Sequence, residues 1–308
     1  MKLYPLVLFI FLIQIFVSCG HISKMAEEPA PTFTAIKEIK YTEIKRRFNN
    51  GLSFTDQGFQ LEPEWNLYFN ADDSVRIYSP EKKQYMTYRI FHSHKALFQF
   101  AREWIRVKHV SKDSLVFQVM ELESRVVMEE LSDITMTLYS DDYIKNVLKT
   151  TAEKLKAPSK EDSLFIKYRA IQANSHPDSA FAARNPVVFK SKSKILTVEK
   201  IKPSLDPYLG FVNRSEEYLY PEYRININKA YNDFQYSFEV RVDHTGKMYF
   251  KKFLVPVEPE FLETKTKVAK GIIDVYLRNL LEITPGNTLG FPHASLINLH
   301  VIGKKINE

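Results

Sequence analysis

Residues 52 to 139 alternate between apolar and polar positions, the period expected of β-strands with one buried face. The clearest pair faces across Ser111-Lys112-Asp113 and predicts a hairpin. About six strands follow from the pattern, which indicates an antiparallel sheet or a partial barrel. The predicted strands cover residues 65–69, 74–78, 85–90, 104–110, 114–119 and 134–139.

Two segments show helical spacing instead. Ile36, Ile39, Ile44 and Phe48 recur near a period of 3.6 and predict a short amphipathic helix ahead of the strands. After Ser140-Asp141-Asp142, a typical helix start, the sequence predicts two connector helices. The first carries Ile144, Val147, Leu148, Thr151 and Leu155 on one face, and the second runs through Leu164, Tyr168 and Ile171. A small hairpin is then expected between 187–189 and 195–198.

The C-terminal part begins with strict alternation over 234–242, a turn at Asp243-His244-Thr245-Gly246-Lys247, and a returning strand over 248–255. A helix is expected from Pro259 to Leu281, and Pro285-Gly286 ends this helical region. The inward side chains of that helix are expected to be Phe261, Val268, Ile272, Val275 and Leu280. Alternation over 294–301 predicts a final strand.

The order of these C-terminal features resembles the TonB C-terminal-like domain. The motifs are Tyr220-Pro221, the hairpin with its Asp-x-x-Gly turn, the helix, Thr284-Pro285-Gly286, Gly290-x-Pro292 and the last strand, over about residues 205–303. The resemblance implies a small α+β module that offers a strand edge to a partner. Leu296, Asn298 and His300 are the candidate edge residues. A TonB-type membrane helix and proline-rich spacer are missing, so energy transduction is not implied.

The earlier β segment loosely resembles small lipocalin-like domains of bacterial lipoproteins. An early tryptophan, Trp65, and the late hairpin around Ser111-Lys112-Asp113 carry the likeness. It implies a barrel that could hold a small apolar ligand, with Trp65, Trp104 and Phe117 as candidate lining residues. Six strands are fewer than the eight of a full barrel, so closure is left open.

The chain begins with Lys2 and an apolar run from Leu3 to Val17, followed by Ser18 and Cys19. About fifteen residues at ~1.5 Å each span about 22 Å, less than a ~30 Å hydrocarbon core, which favours a cleaved signal. Phe16-Val17-Ser18-Cys19 resembles the lipobox of bacterial lipoproteins, whose cysteine is lipidated with acyl chains such as palmitate. Gly20 then implies outer-membrane sorting. A general secretion signal or an uncleaved anchor is the alternative.

Composition adds two constraints. The single cysteine excludes a disulfide within the chain, and the net charge of +6 is scattered rather than clustered with aromatic residues. The sequence therefore predicts no nucleic-acid partner. With 22 Phe and 17 Tyr, the chain suits β-rich domains, in which aromatic side chains pack on pleated surfaces.

Motifs for catalysis or cofactors are not evident. No nucleophile elbow, metalloprotease helix, P-loop or dinucleotide fingerprint occurs in the sequence. His92 and His94 would share one face if this segment were a regular strand, but two imidazoles fall short of a zinc site. We therefore expect no metal, no cofactor and no enzyme activity. The sequence leaves open a catalytic triad of serine, histidine and acidic residues that only the fold brings together.

These patterns predict an α+β protein with two β-rich domains joined by a helical connector. The expected function is a non-enzymatic outer-membrane lipoprotein, attached through lipidated Cys19, that binds or scaffolds an envelope protein. The alternative is a lipocalin-like carrier of a small apolar ligand, and an envelope hydrolase ranks third. The predicted divisions are signal peptide 1–18, tether 19–34, lipocalin-like domain 35–140, connector 141–202 and TonB C-terminal-like domain 203–308.

Overall fold

The computed structural model describes residues 30–124, 126–128, 131–203 and 214–305. It confirms the α+β class, with more residues in strands than in helices. The strands are β1 Tyr41–Phe48, β2 Asn66–Ala71, β3 Ser74–Ser79, β4 Gln84–Arg89, β5 Phe91–His94, β6 Leu97–Phe100, β7 Glu103–Val110, β8 Ser114–Val119, β9 Glu121–Glu123, β10 Val126–Met128, β11 Ile134–Ser140, β12 Val188–Ser191, β13 Leu196–Ile201, β14 Glu222–Ala230, β15 Phe234–Val242, β16 Met248–Phe253, β17 Leu281–Thr284, β18 Asn287–Thr288, β19 Phe291–Pro292 and β20 Ser295–Lys305. The helices are α1 Ala152–Lys156, α2 Lys160–Ser175, α3 Glu216–Leu219, α4 Pro259–Ile272 and α5 Arg278–Leu280.

The first domain is a nearly closed antiparallel barrel. Its sheet has the order β4-β3-β2-β1-β11-β8-β7-β6-β5, and every pairing is antiparallel. The two outermost strands, β4 and β5, are separated in the chain only by Ile90. The opposite ends of the sheet are therefore held together by the covalent chain. If β4 and β5 are counted as one bent strand, the barrel has eight strands, whereas the sequence pattern predicted about six.

Alternate side chains from the barrel strands fill its interior. Apolar residues are favoured there because each strand turns one face away from water. The buried set comprises Tyr41, Leu67, Phe69, Val75, Ile77, Phe98, Phe100, Ile105, Val107, Leu115, Phe117, Met136 and Leu138. The hairpin between β7 and β8 is confirmed.

The predicted helix over Ile36–Phe48 is wrong. Only Thr34–Ile36 forms a 3-10 turn, and residues 41–48 form β1, which pairs with β11 along its length. A bulge between Glu43 and Lys45 breaks the strict alternation, so Tyr41 and Ile44 are both buried. The bulge gave the apolar residues of this segment their helix-like spacing. The segment nevertheless forms a strand because it pairs with both of its neighbours in the barrel.

The first connector helix is also shorter than predicted. A π-helical turn covers Tyr143–Val147, and α1 does not begin until Ala152. Lys149 has a φ of 51°, which is incompatible with a continuous right-handed helix. Val147 and Leu148 consequently remain exposed rather than forming a buried face.

The second domain is a five-stranded sheet of order β13-β14-β20-β15-β16 with helix α4 against it. The hairpin of β15 and β16 is confirmed, with its turn held by Asp243 and by Gly246 at a φ of 84°. The predicted edge position of the last strand is wrong. Strand β20 pairs in parallel with β14 on one side and antiparallel with β15 on the other. Both its backbone edges are therefore occupied.

The expected inward face of the long helix is wrong in part. Val275 is 61% exposed and Phe261 is 52% exposed, whereas Ile273 and Leu277 are buried. A π-helical turn over Ile273–Leu277 follows α4 and adds one residue to that turn. The wider turn rotates the following side chains, so the buried positions no longer match a period of 3.6.

Strands β12 and β13 do not form the predicted hairpin with one another. Strand β12 pairs with β17, and β13 pairs with β14 as an edge of the second sheet. Both strands lie before residue 203 in the chain. The second domain therefore begins ahead of the predicted boundary and includes part of the proposed connector.

The central position of β20 predicts that Asn298→Pro strongly destabilises the second domain. The Asn298 N–H donates to Pro221 O at 3.0 Å, and proline would remove this bond inside the sheet. We expect a loss of about 3 kcal/mol or more in the free energy of unfolding. Denaturant unfolding followed by circular dichroism measures the change.

Lys200→Pro is the matched control, because the register of β13 directs the Lys200 N–H away from β14 at the sheet edge. It should cost clearly less than Asn298→Pro. Equal losses for the two variants would contradict the central position of β20.

Candidate functional site

The two domains meet at a separate apolar cluster, which we call the joint. It combines Phe54 from the long β1–β2 loop, Ile166 and Ala173 from α2, Phe181, and Ala294 ahead of β20, all buried. Asn174 adds polar contacts, because its amide donates to Pro292 O at 3.1 Å and accepts from Ala294 N at 3.0 Å. Helix α2 is therefore fixed between the barrel loop and the second domain.

Asp162 anchors the start of α2 to the barrel. Its carboxylate accepts N–H bonds from Ser53 at 2.8 Å and from Ser159 at 2.9 Å, and it lies 3.2 Å from Arg47. Burial by itself would raise the pKa of Asp162, but these N–H groups and the guanidinium hold it below its usual value. Ser159 and Asp162 also form a capping box, which satisfies N–H groups of the first helical turn.

The opposite face of α2 exposes an apolar stripe. Leu164, Tyr168 and Ile171 are 58%, 60% and 55% exposed, although their spacing places them on one helix face. The sequence predicted a helix through these three residues without assigning it a buried face. The structure buries Asp162, Ile166, Ala170 and Ala173. Small alanines thus bring α2 close to the joint, while the larger side chains face outward.

Leu296, Asn298 and His300 do share a face, but it is the middle of the sheet rather than its edge. They alternate with buried Ile297 and Leu299, which point toward the core. All three are partly exposed. They are therefore placed to meet a partner only through their side chains, and strand addition to β20 is excluded by its two ladders.

One polar relay crosses this face. Ser237 on β15, His300 on β20 and Glu222 on β14 lie on three neighbouring strands. Ser237 Oγ is 2.8 Å from His300 Nδ1, and His300 Nε2 contacts a Glu222 carboxylate oxygen. A serine, a base and an orienting acid are the parts of a nucleophilic site. Ser237 nevertheless lies on an inner strand, where ladder bonding uses the backbone N–H groups that an oxyanion hole would need.

The three candidate ligand-lining residues do not converge. Phe117 is fully buried inside the barrel, and Trp65 packs at the margin of the same cluster with its ring 5.8 Å from Phe100. Trp104 alternates with buried Ile105 on β7 and therefore faces the outside of the barrel. Whether any of them contacts a ligand stays a prediction.

A residue from outside the barrel strands fills part of the interior. The Phe33 ring stacks on Phe69 at 4.1 Å between centroids and meets Phe98 edge-on at 5.4 Å. Its backbone N–H donates to Asp72, whose other carboxylate oxygen accepts from Thr34. The sequence pattern placed Phe33 in a flexible tether, so its role as a plug was missed.

The remaining candidate residues from the sequence are the two histidines of β5 and Cys19. His92 donates through Nε2 to Lys95 O at 2.8 Å and packs on Phe98. In the described ranges no group of three or more His, Cys, Asp or Glu side chains is arranged to hold a metal ion. Cys19 lies outside the described residues. No helix among those described has the length and apolar character to cross a membrane.

His293 is a joint residue that the sequence did not single out. It is fully buried and stacks on Phe181 at 3.7 Å. Nδ1 donates to Ala294 O at 3.1 Å, so Nε2 is the acceptor for Thr288 Oγ1 at 3.0 Å. Burial, assisted by the positive charge of Arg169, lowers the pKa of His293 to about 4. No local sequence pattern distinguishes such a histidine from an exposed one.

Comparisons with protein-family models and with curated proteins give no match to this sequence.

The joint predicts a pH-dependent stability. Because the folded pKa of His293 lies near 4 and the unfolded value near 6.5, only the unfolded chain gains this proton between those pH values. The free energy of unfolding should therefore fall by about 1.4 kcal/mol per pH unit, or about 3 kcal/mol in total, as the pH drops through this window.

Denaturant titrations of wild type and His293→Gln from pH 7 to pH 4.5 measure the difference between the two chains. The difference should change with pH, whereas exposed His92→Gln should follow wild type. Parallel curves for wild type and His293→Gln would contradict a neutral buried histidine.

Proposed function

We propose that this protein is a non-enzymatic, lipid-anchored component of the bacterial cell envelope that binds or scaffolds another envelope protein. The proposal places its attachment at lipidated Cys19, with the outer membrane as the membrane that it joins. Support for the anchor comes from the basic start, the short apolar run and the lipobox-like Phe16-Val17-Ser18-Cys19.

The observation that carries the binding function is the apolar stripe of α2. Three adjacent large side chains on one helix face are each more than half exposed, whereas scattered single apolar residues are normal on a surface. Apolar residues at such helical spacing are the anchors by which a helix docks into a partner's groove. Because the barrel loop and the second domain both contact the buried face of α2, the stripe on the opposite face is presented without any rearrangement.

The carrier alternative receives less support from the barrel. Aromatic and aliphatic side chains fill the described interior, and Phe33 occupies space between Phe69 and Phe98. A ligand there would have to displace Phe33. The proposal includes a lipocalin-like first domain, which the barrel-like β fold supports. It also includes a TonB C-terminal-like second domain, which the order of hairpin, helix and strand supports.

The proposal predicts separable effects of two changes. Cys19→Ser should release the protein from the membrane fraction, because its attachment point is lost. The double variant Leu164→Lys and Tyr168→Lys should stay in the membrane but lose partner crosslinking ten-fold or more, because buried charges would replace apolar anchors in the contact.

Tyr220→Lys is the matched control, since Tyr220 is 69% exposed and lies outside α2. It should crosslink like wild type. Melting temperatures of the purified variants verify that each is folded. If the folded stripe variant recovers the same partners at the wild-type yield, the stripe is not the contact. If Cys19→Ser remains in the membrane, the anchor is not Cys19.

A further inference from the structure

A compact group of aromatic side chains and one arginine lies on the outside of the barrel over β2, β3 and β4. Tyr68 stands directly opposite Arg76, and Tyr78 stands directly opposite Tyr85. The Tyr85 ring packs edge-on against Tyr68 at 5.2 Å and against Tyr78 at 5.4 Å. We call these four residues the tyrosine–arginine cluster.

Arg76 is unusual in its surroundings. Its guanidinium carbon lies 5.6 Å from the centre of the Tyr68 ring, yet its Nε is buried and finds no hydrogen-bond partner in the described part of the chain. Two other arginines of the barrel, Arg46 and Arg47, are paired with carboxylates. Among the described residues Arg76 has no such ion pair. A partly buried cation without a counter-charge is costly, so an anion is the group that this position lacks.

The tyrosines supply further donors. No hydroxyl bond within the described residues occupies Tyr68, Tyr78 or Tyr85, whereas the buried Tyr41 hydroxyl donates to Ser111 O. Partial burial, and to a smaller extent the negative charge of Asp141, raises the pKa of Tyr85. A tyrosine hydroxyl with an ordinary pKa is already protonated at neutral pH, so the Tyr85 hydroxyl is a hydrogen-bond donor there. The Asp141 carboxylate itself accepts from Thr42 Oγ1 at 3.0 Å.

We propose that the tyrosine–arginine cluster binds the phosphate group of a phosphate ester. The guanidinium fork of Arg76 contacts the phosphate oxygens, the tyrosyl hydroxyls donate to those that remain, and the organic part of the ester lies on the rings. A planar fork of N–H donors matches phosphate geometry, and the surrounding aromatic surface raises the strength of such bonds by excluding water. The ester could be a soluble metabolite or a lipid headgroup, which share this chemistry. The cluster is independent of the stripe on α2.

The test follows the Arg76 Nε–H signal of the full chain by NMR with ¹⁵N-labelled arginine. The probes are phenyl phosphate, inorganic phosphate and vesicles of phosphatidylcholine with and without phosphatidylglycerol. We expect a saturable shift of the Arg76 signal with phenyl phosphate or with the phosphatidylglycerol vesicles. The first result identifies a soluble ester as the source of the phosphate, and the second identifies a lipid headgroup.

Calorimetric titration with the probe that binds then compares variants. Arg76→Gln should raise the Kd ten-fold or more, and Tyr85→Phe, which removes only a hydroxyl, should raise it several-fold. Arg89→Gln is the matched control, because Arg89 is an exposed arginine of the adjacent strand that packs over Phe91. It should bind like wild type. The proposal is overturned if neither phenyl phosphate nor the phosphatidylglycerol vesicles shift the Arg76 signal saturably, even where inorganic phosphate does, or if Arg76→Gln binds no more weakly than Arg89→Gln.

Discussion

The packing of Phe54 against α2 and Phe181 holds the two β domains in one arrangement. Phe54 comes from the barrel, Ile166 from the connector helix, and Phe181 and Ala294 from the approach to the second sheet. Each element alone would expose an apolar face, so burial of the cluster stabilises all three together. Asp162 and His293 complete the joint with polar contacts that are satisfied within the protein.

This constraint determines which surfaces are available. Helix α2 turns its small residues toward the joint and its large apolar residues outward, and β20 is enclosed between β14 and β15. A partner must therefore use side chains on a helix or sheet face rather than a free strand in the centre of the second sheet. The barrel contributes an outer surface of tyrosines and an arginine, while its interior is filled by its own aromatic residues.

The sequence predicted the α+β class and the hairpins of β7 with β8 and β15 with β16, because alternation and turn residues are local signals. It missed β1, where a bulge at Glu43 disguised the alternation, and it missed the closure of the barrel through Ile90. It also placed β20 at an edge, because the parallel pairing with β14 joins residues far apart in the chain.

The residues of the candidate site were likewise hard to predict, because they come together through long-range contacts. The relay of Ser237, His300 and Glu222 joins three strands that no spacing in the sequence brings together. Leu164, Tyr168 and Ile171 predicted helix α2 correctly, but the sequence did not assign its buried face, since burial depends on which neighbour α2 meets. Local patterns therefore identified elements, whereas their exposed surfaces depended on long-range packing.

Calorimetry of the full chain tests the joint most directly. If the joint couples the domains, wild type should unfold in one transition whose calorimetric and van't Hoff enthalpies agree. Phe54→Ala, which should cost about 3 to 5 kcal/mol, should then lower the temperature of that transition or divide it in two. Two transitions in wild type, or a Phe54→Ala variant that melts like wild type, would contradict a core shared by both domains.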